Sequence, residues 1–209
     1  MSPHTLVSDP APDHDVPANV CPVMHGSAAR TGTTPIYTKT REDESMRQAL
    51  KLLNPIRDDF RLADYAESFN WAEISAEFQT QLLVHADLPP KADSAPDNWY
   101  AVVFRSKRRT DCNNVDLFEA DRNAYREAFS STNGSLLMYW YTELDADDNC
   151  LATCVWSNRE LARSVNMLPA HREAARLSAG SYVHYIIDRV CITWLPDEAR
   201  LDVKPWPTE

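Results

Sequence analysis

Four segments of the chain are apolar at both alternating positions, and their order limits the fold more than any other feature. Residues 99–107 (WYAVVFRSK), 135–141 (SLLMYWY), 151–156 (LATCVW) and 182–195 (YVHYIIDRVCITWL) have the aromatic and β-branched composition of strands. Between the first two, residues 115–129 set Leu117, Phe118, Tyr125 and Phe129 among charges, as an amphipathic helix does, and Asn133-Gly134 supplies a stop signal. A helical stretch over 158–179 separates the last two, with Pro169 starting a second helical piece. The order β-α-β-β-α-β predicts an α+β fold of the ferredoxin-like type, an antiparallel sheet with helices on one face. The other face is equally apolar and needs cover, from helices ahead of the sheet or from a second subunit in a homodimer.

Ahead of the sheet, Met46, Leu50 and Leu53 recur at helical spacing, and so do Trp71, Ile74, Phe78 and Leu82 after Asn70, an expected N-cap. Asn54-Pro55 ends the first helix, and residues 60–69 read as another short one. Residues 1–40 hold six of the 14 prolines and two of the four glycines with no hydrophobic period, the composition of a disordered leader. The predicted division is a leader over 1–40, a helical extension and linker over 41–95, and a ferredoxin-like domain over 96–209.

Glycine is too scarce for phosphate chemistry. Gly26, Gly32, Gly134 and Gly180 never fall into the spacing of a dinucleotide-binding or P-loop turn. A net charge of -10 opposes binding to nucleic acid or an anionic membrane surface. No apolar run is long enough to span a bilayer and no secretory signal is recognisable, so a soluble, cytoplasmic protein is expected. Its five cysteines are scattered and odd in number, which suits reduced thiols. Cys150 and Cys154 lie about 13 Å apart along a strand, too far to share a metal ion, and Cys21-Pro22 with His25 falls in the leader. Neither a metal nor another cofactor is expected.

The strands also carry a resemblance. WYAVVFRSKRR (99–109), LLMYWY (136–141) and CLATCVW (150–156) resemble a family of small fungal proteins that is similar to the dimeric α/β-barrel proteins of natural-product pathways. The likeness runs over about residues 70–195 and implies the fold that the order of elements predicts. It includes no catalytic motif, so it transfers no functional residue, and barrel relatives include oxygenases, cyclases and haem proteins. The chain is further similar to the cofactor-free fungal cyclases of the norbornene-forming Diels-Alderase kind in sordaricin biosynthesis, which implies ring closure without a cofactor.

A turn near Ala146 and Asp147 would pair Tyr141 with Ala152, Tyr139 with Cys154 and Leu137 with Trp156 on one face, leaving Met138, Trp140, Thr153 and Val155 on the other. Large tyrosines opposite small residues leave space with phenols aimed into it, the make-up of a small-molecule pocket; the competing reading is a core with wet hydroxyls. Arg105 leads a basic cluster with Lys107, Arg108 and Arg109 and could hold a substrate carboxylate, or the cluster could simply balance nearby acids. His184 could act as a base, although Asp188 is two steps away on the same face, and His171 could point over the sheet from a helix start. The expected catalytic residues are therefore Tyr139, Tyr141, Arg105 and His184. Leu137, Ala152, Cys154, Trp156, Trp140 and His171 are expected to bind the substrate.

No nucleophile elbow, H-E-x-x-H helix or Cys-His pattern is present, so covalent catalysis has no visible residue. The expected function is a cofactor-independent enzyme acting on a hydrophobic small molecule, a cyclase or isomerase of fungal secondary metabolism. A ligand carrier or stress-related binding protein with the same pocket, and a barrel-type haem-binding protein or cofactor-independent oxygenase, are the alternatives.

Overall fold

The computed structural model describes residues 37–92 and 98–207; the predicted leader and the Cys21/His25 pair lie outside them, apart from residues 37–40. Helices α1 (Arg41–Ala49), α2 (Tyr65–Ser68) and α3 (Trp71–Val84) precede β1 (Asn98–Arg108), α4 (Asn114–Ser131), β2 (Leu136–Tyr141) and β3 (Asn149–Trp156). Then follow α5 (Arg159–Ser164), a 3-10 turn, α6 (Pro169–Ser178), β4 (Tyr182–Leu195) and β5 (Arg200–Pro205). The antiparallel sheet has the order β2-β3-β1-β4-β5, so the β-α-β-β-α-β unit is ferredoxin-like. From the sequence, β4 is the last strand expected. The chain instead turns back through Ala199, at φ 48°, into β5, an edge strand on which Pro205 costs no ladder bond with a further neighbour.

Every residue of β3 is buried, which requires cover on both faces. On one face Trp99, Ala101, Val103, Leu151, Val155, Ile192 and Trp194 meet Met46, Leu50, Phe69, Trp71, Ile74 and Phe78 of the leading segment. Helices from the same chain thus supply the cover for which a second subunit was the other solution. On the other face Tyr100, Phe104, Tyr139, Ala152, Cys154 and Trp156 lie under Ala128 of α4 and Ala162 and Val165 at α5.

Polar joints lock the leading helices to the sheet. Asp43, 2% exposed, accepts a hydrogen bond from Trp99 Nε1 at 2.8 Å and pairs with Lys91 Nζ at 3.2 Å. Arg47 donates to the carbonyls of Leu136 at 3.0 Å and Leu137 at 3.3 Å, and to that of Gly134, which sits at φ 86° where a glycine is favoured. Leu201 N donates to Ser75 Oγ at 2.9 Å, tying β5 to α3.

Two local expectations are corrected. Residues 60–69 form a helix only over Tyr65–Ser68, because Asp64 caps it late and accepts from Ala66 N, while the carbonyls of Phe60, Arg61 and Ala63 receive Arg105. Asn70 does hold the N-cap position of α3, yet its side-chain oxygen accepts from Asn54 N at 2.8 Å, across the chain rather than into its own helix.

Trp99→Phe keeps an aromatic ring but deletes the donor that satisfies a buried carboxylate and shortens a fully buried side chain. It is expected to lower stability by about 1–3 kcal/mol, read from urea denaturation with an unchanged slope.

Candidate functional site

Of the four expected catalytic residues only Tyr139 and Tyr141 meet, their rings 5.8 Å apart. Tyr139 and Tyr141 pair with Cys154 and Ala152 as expected and lie on the α4 side of the sheet. A β-bulge shifts the register before Met138, so that Leu136, not Leu137, is opposite Trp156; Leu137 packs with the other core, under the leading helices. Trp140 also belongs there, its ring 5.4 Å from Phe69 and 6.4 Å from Phe60. Arg105 projects to the same side, bonding Asp188 through Nε at 2.9 Å and the three carbonyls through its other nitrogens at 2.6–3.2 Å. His184 is exposed near the start of β4, opposite Lys107. His171 is buried on α6, with Nδ1 3.8 Å from Glu127 of α4.

Tyr139 is instead half of a buried polar pair. Its hydroxyl donates to Asp121 Oδ1 at 2.8 Å, and burial drives the Asp121 carboxyl well above the usual carboxylate range, against the opposing pull of that bond and of Arg108. The ring stacks on Tyr125 at 5.8 Å. These phenols therefore build the helix-sheet interface and do not face a large open volume.

A cavity of about 950 Å³ opens elsewhere on the same face, toward β4. Its floor is Tyr100, Val102 and Phe104 of β1, Cys154 and Trp156 of β3, and Ile187 of β4, all set there by the two-residue alternation of the strands. One wall is α5 and the turn after it, carrying Arg159, Ala162, Arg163 and Val165; Trp206, which follows β5, forms another. Trp206 stands edge-on to Tyr100 at 4.9 Å and 85°, held by a bond from its backbone N to Arg189 O at 2.8 Å. Arg159 lies 5.8 Å from the Trp206 ring centroid. β5 pairs with β4 only from Val190 onward, and the cavity continues round the exposed edge of β4 to Arg105 and Asp188.

Chemically, the floor presents one phenol and one thiol. Burial raises the Tyr100 phenol despite the lowering influence of Arg189, which is within hydrogen-bonding reach, and of Arg159. Burial pushes the Cys154 thiol up to about 12, and Trp156 Nε1 is 3.1 Å from its sulfur. At neutral pH both keep their protons, so the phenol is a donor and the thiol is a poor nucleophile. Among the described residues no three His, Cys, Asp or Glu side chains are grouped to hold a metal ion. No helix among them is long and apolar enough to cross a membrane.

The PB2B2.08-like family model matches residues 28–205. The chain belongs to that family. The UPF0643 protein PB2B2.08 of Schizosaccharomyces pombe (strain 972) is 32% identical over an alignment of 143 residues that covers 63% of this chain and 60% of the yeast protein. The match thus spans less than two thirds of that relative. Among solved structures, a dimeric ferredoxin-like protein of unknown function from Bacteroides fragilis covers 44% of this chain and 93% of its own, at 13% identity and a TM-score of 0.32. Another, from Lactobacillus acidophilus and named as a proposed monooxygenase, covers 78% and 90%, at 9% identity and a TM-score of 0.36.

In this member of the family, Cys154, Trp156 and Arg105 are the expected site residues that line the large cavity. Tyr100, Arg159, Arg189 and Trp206 are the ones sequence reasoning missed as a group. The signal for two of them was available: Val102 is opposite Arg189 in the β1–β4 ladder, so the alternation puts Tyr100 and Arg189 on one face as diagonal neighbours. Nothing local points to Trp206, which arrives through the unexpected fifth strand.

The two buried titratable groups give opposite pH signatures. Burial lowers His171 from 6.5 to about 4, with Glu127 opposing, so the unfolded chain takes up a proton that the folded one resists. Stability from this group is complete above pH 6.5 and falls as pH drops toward 4, by roughly 3 kcal/mol in all. Asp121 acts with the reverse sign, since its raised carboxyl favours folding at low pH. The difference in unfolding free energy between the protein and its His171→Gln variant isolates the first, and should shrink across that window.

Separately, Tyr139→Phe leaves Asp121 without its donor and is expected to cost about 1–3 kcal/mol, whereas Asp121→Asn keeps an acceptor and should change stability by less than about 1 kcal/mol at pH 7. Thermal unfolding of both variants at that pH is the check.

Proposed function

We propose that this chain is a cofactor-independent enzyme of small-molecule metabolism, an isomerase or cyclase working on an apolar substrate in the cavity between β1, β3, β4 and α5. The observation that carries the reading is the Tyr100 phenol, 4% exposed and joined by Arg189, above a floor of Val102, Phe104, Trp156 and Ile187. A protonated phenol backed by a guanidinium above an apolar floor can stabilise negative charge as it develops on an oxygen, for example on the carbonyl of an enone polarised during ring closure. The aromatic floor and Trp206 would hold a flexible substrate in one folded conformer, which supplies the entropic part of a ring closure or double-bond shift. Neither contribution requires a covalent intermediate, in keeping with a thiol that stays protonated. Ring closure of the Diels-Alder type in natural-product biosynthesis is the narrowest form of the proposal; its support is the sequence resemblance and no particular residue.

In this reading Tyr100 is the hydrogen-bond donor, Arg189 orients it, and Cys154 and Trp156 shape the floor. Arg105 holds the 60–63 segment at the cavity's far end, and Tyr139, Tyr141, Trp140 and Leu137 support the sheet from which the floor is built. The protein works in solution in the cytoplasm, without a nucleic-acid or membrane partner.

Incubation of the purified protein with linear polyene carbonyl compounds, without added cofactor, should raise the rate of cyclised or isomerised product over buffer. Tyr100→Phe should lower that rate about 100-fold or more with little change in KM. Ligand binding without turnover would replace the enzyme by a carrier, and turnover unchanged in Tyr100→Phe would remove the assigned donor.

A further inference from the structure

The mouth of the cavity is basic in an acidic molecule. The chain has a net charge of -10, yet the α5 wall and the adjoining end of β4 present Arg159, Arg163 and Arg189 together. Several exposed arginines elsewhere sit on carboxylates: Arg57 on Asp59, Arg109 on Asp111, Arg176 on Glu173 and Arg200 on Glu198. Among the described residues, Arg163 and Arg189 have no carboxylate within ion-pair distance. The acids that do border the cavity are engaged, Asp188 by Arg105 and Asp64 by the backbone of α2. Arg163 and Arg189, two like charges without a carboxylate partner at the edge of a concave site with an apolar floor, call for an anion from outside the chain.

Arg159 and Arg163 are one helical turn apart on α5, so both project from one side of the helix to the cavity they line. Arg189 reaches the same cavity from β4, beside the Tyr100 phenol. Below them the floor is aromatic and aliphatic, and about 950 Å³ is at the upper end of what a drug-sized ligand fills. We infer that the cavity takes an amphipathic carboxylate, its apolar body on Phe104, Trp156 and Ile187 and its carboxylate at the mouth between Arg159, Arg163 and Arg189. The inference rests on the same cavity as the proposed enzyme and names the class of its substrate. Guanidinium groups suit a carboxylate because their planar forks donate two parallel hydrogen bonds, and a site partly shielded from water strengthens them. Trp206, edge-on to Tyr100 and near Arg159, would lie along the body of the ligand.

The experiment uses the full chain and cis-parinaric acid, a long polyene carboxylate whose fluorescence rises in apolar surroundings, with its methyl ester as the neutral control. The acid should bind saturably and at least about ten-fold more tightly than the ester, with an affinity that falls as salt is raised. Arg163→Gln and Arg189→Gln, both at exposed positions, should each weaken the acid by about ten-fold and leave the ester unchanged. Trp156→Ala should weaken both ligands alike, and the unfolding midpoint of each variant reports that it is folded. Equal binding of acid and ester, no binding of either, or full affinity for the acid in both arginine variants overturns the inference. Tyr100→Phe separates the two readings: acid binding retained with turnover lost supports both, while acid binding in a protein that turns over nothing leaves the ligand class standing and removes the enzyme.

Discussion

A central sheet that is apolar on both faces governs this molecule. β3 has no exposed position, and β1 is buried over most of its length, so both faces of these strands need cover. Burial of one large apolar side chain contributes about 1.5–3 kcal/mol, and the leading segment brings Met46, Leu50, Phe69, Trp71, Ile74 and Phe78 to one face alone. That gain is available only if the helices are held in register with the sheet, which is the role of the buried polar joints. Asp43 under Trp99 and Lys91, Arg47 on the carbonyls around β2, and Arg105 on those of residues 60–63 each join a helical or loop segment to a strand. Each joint places the charged or polar group where several partners satisfy it, since a buried ion with one partner missing costs several kcal/mol.

The second face is covered unevenly, and the cavity follows from that. α4 and α6 pack against each other through Ala120, Ala124 and Ala174, small residues that let the helices approach closely. Near β2 the cover is completed by the Tyr139–Asp121 pair and the Tyr125 ring. Toward β4 the cover passes to the short α5 and to Trp206, neither wide enough to fill the space over Tyr100 and Phe104. The same strands therefore make a closed interface at one end of the sheet and a ligand-sized space at the other.

Periodicity made the sheet legible. The alternation in β2 and β3 gave the Tyr141–Ala152 and Tyr139–Cys154 pairs, because a turn of fixed length leaves little freedom in register. It failed at Leu137, where a bulge inserts one residue, a backbone event that leaves no mark in an apolar run such as LLMYWY. The tyrosines were correctly placed on one face, but which part of that face stays open depends on how far α4, α5 and α6 reach across it, and helix packing at that distance is not written in strand alternation. Arg105 was expected either to hold a substrate carboxylate or to balance nearby acids, and it pairs with Asp188 and turns its other nitrogens to the carbonyls of residues 60–63. His184 shows the converse limit: the strand was right, but the half of β4 that carries it extends past β5 into solvent.

The balance at Tyr100 decides what chemistry the cavity can support. Two opposing influences act on the phenol: burial favours the neutral form, whereas Arg189 and Arg159 favour the phenolate. The net direction is upward, so burial outweighs two nearby cations. Were the cations to win, a phenolate at neutral pH would make the site a base or a nucleophile. Since they do not, the phenol keeps its proton and is offered as a donor, while the arginines keep their positive charge unspent on it. An incoming anion would therefore meet both a hydrogen-bond donor and the charge of Arg189, and negative charge growing on a bound carbonyl would meet the same pair. In the proposed reading, binding an anion and stabilising a developing one draw on one arrangement of residues, which would link ligand class to reaction type at this site.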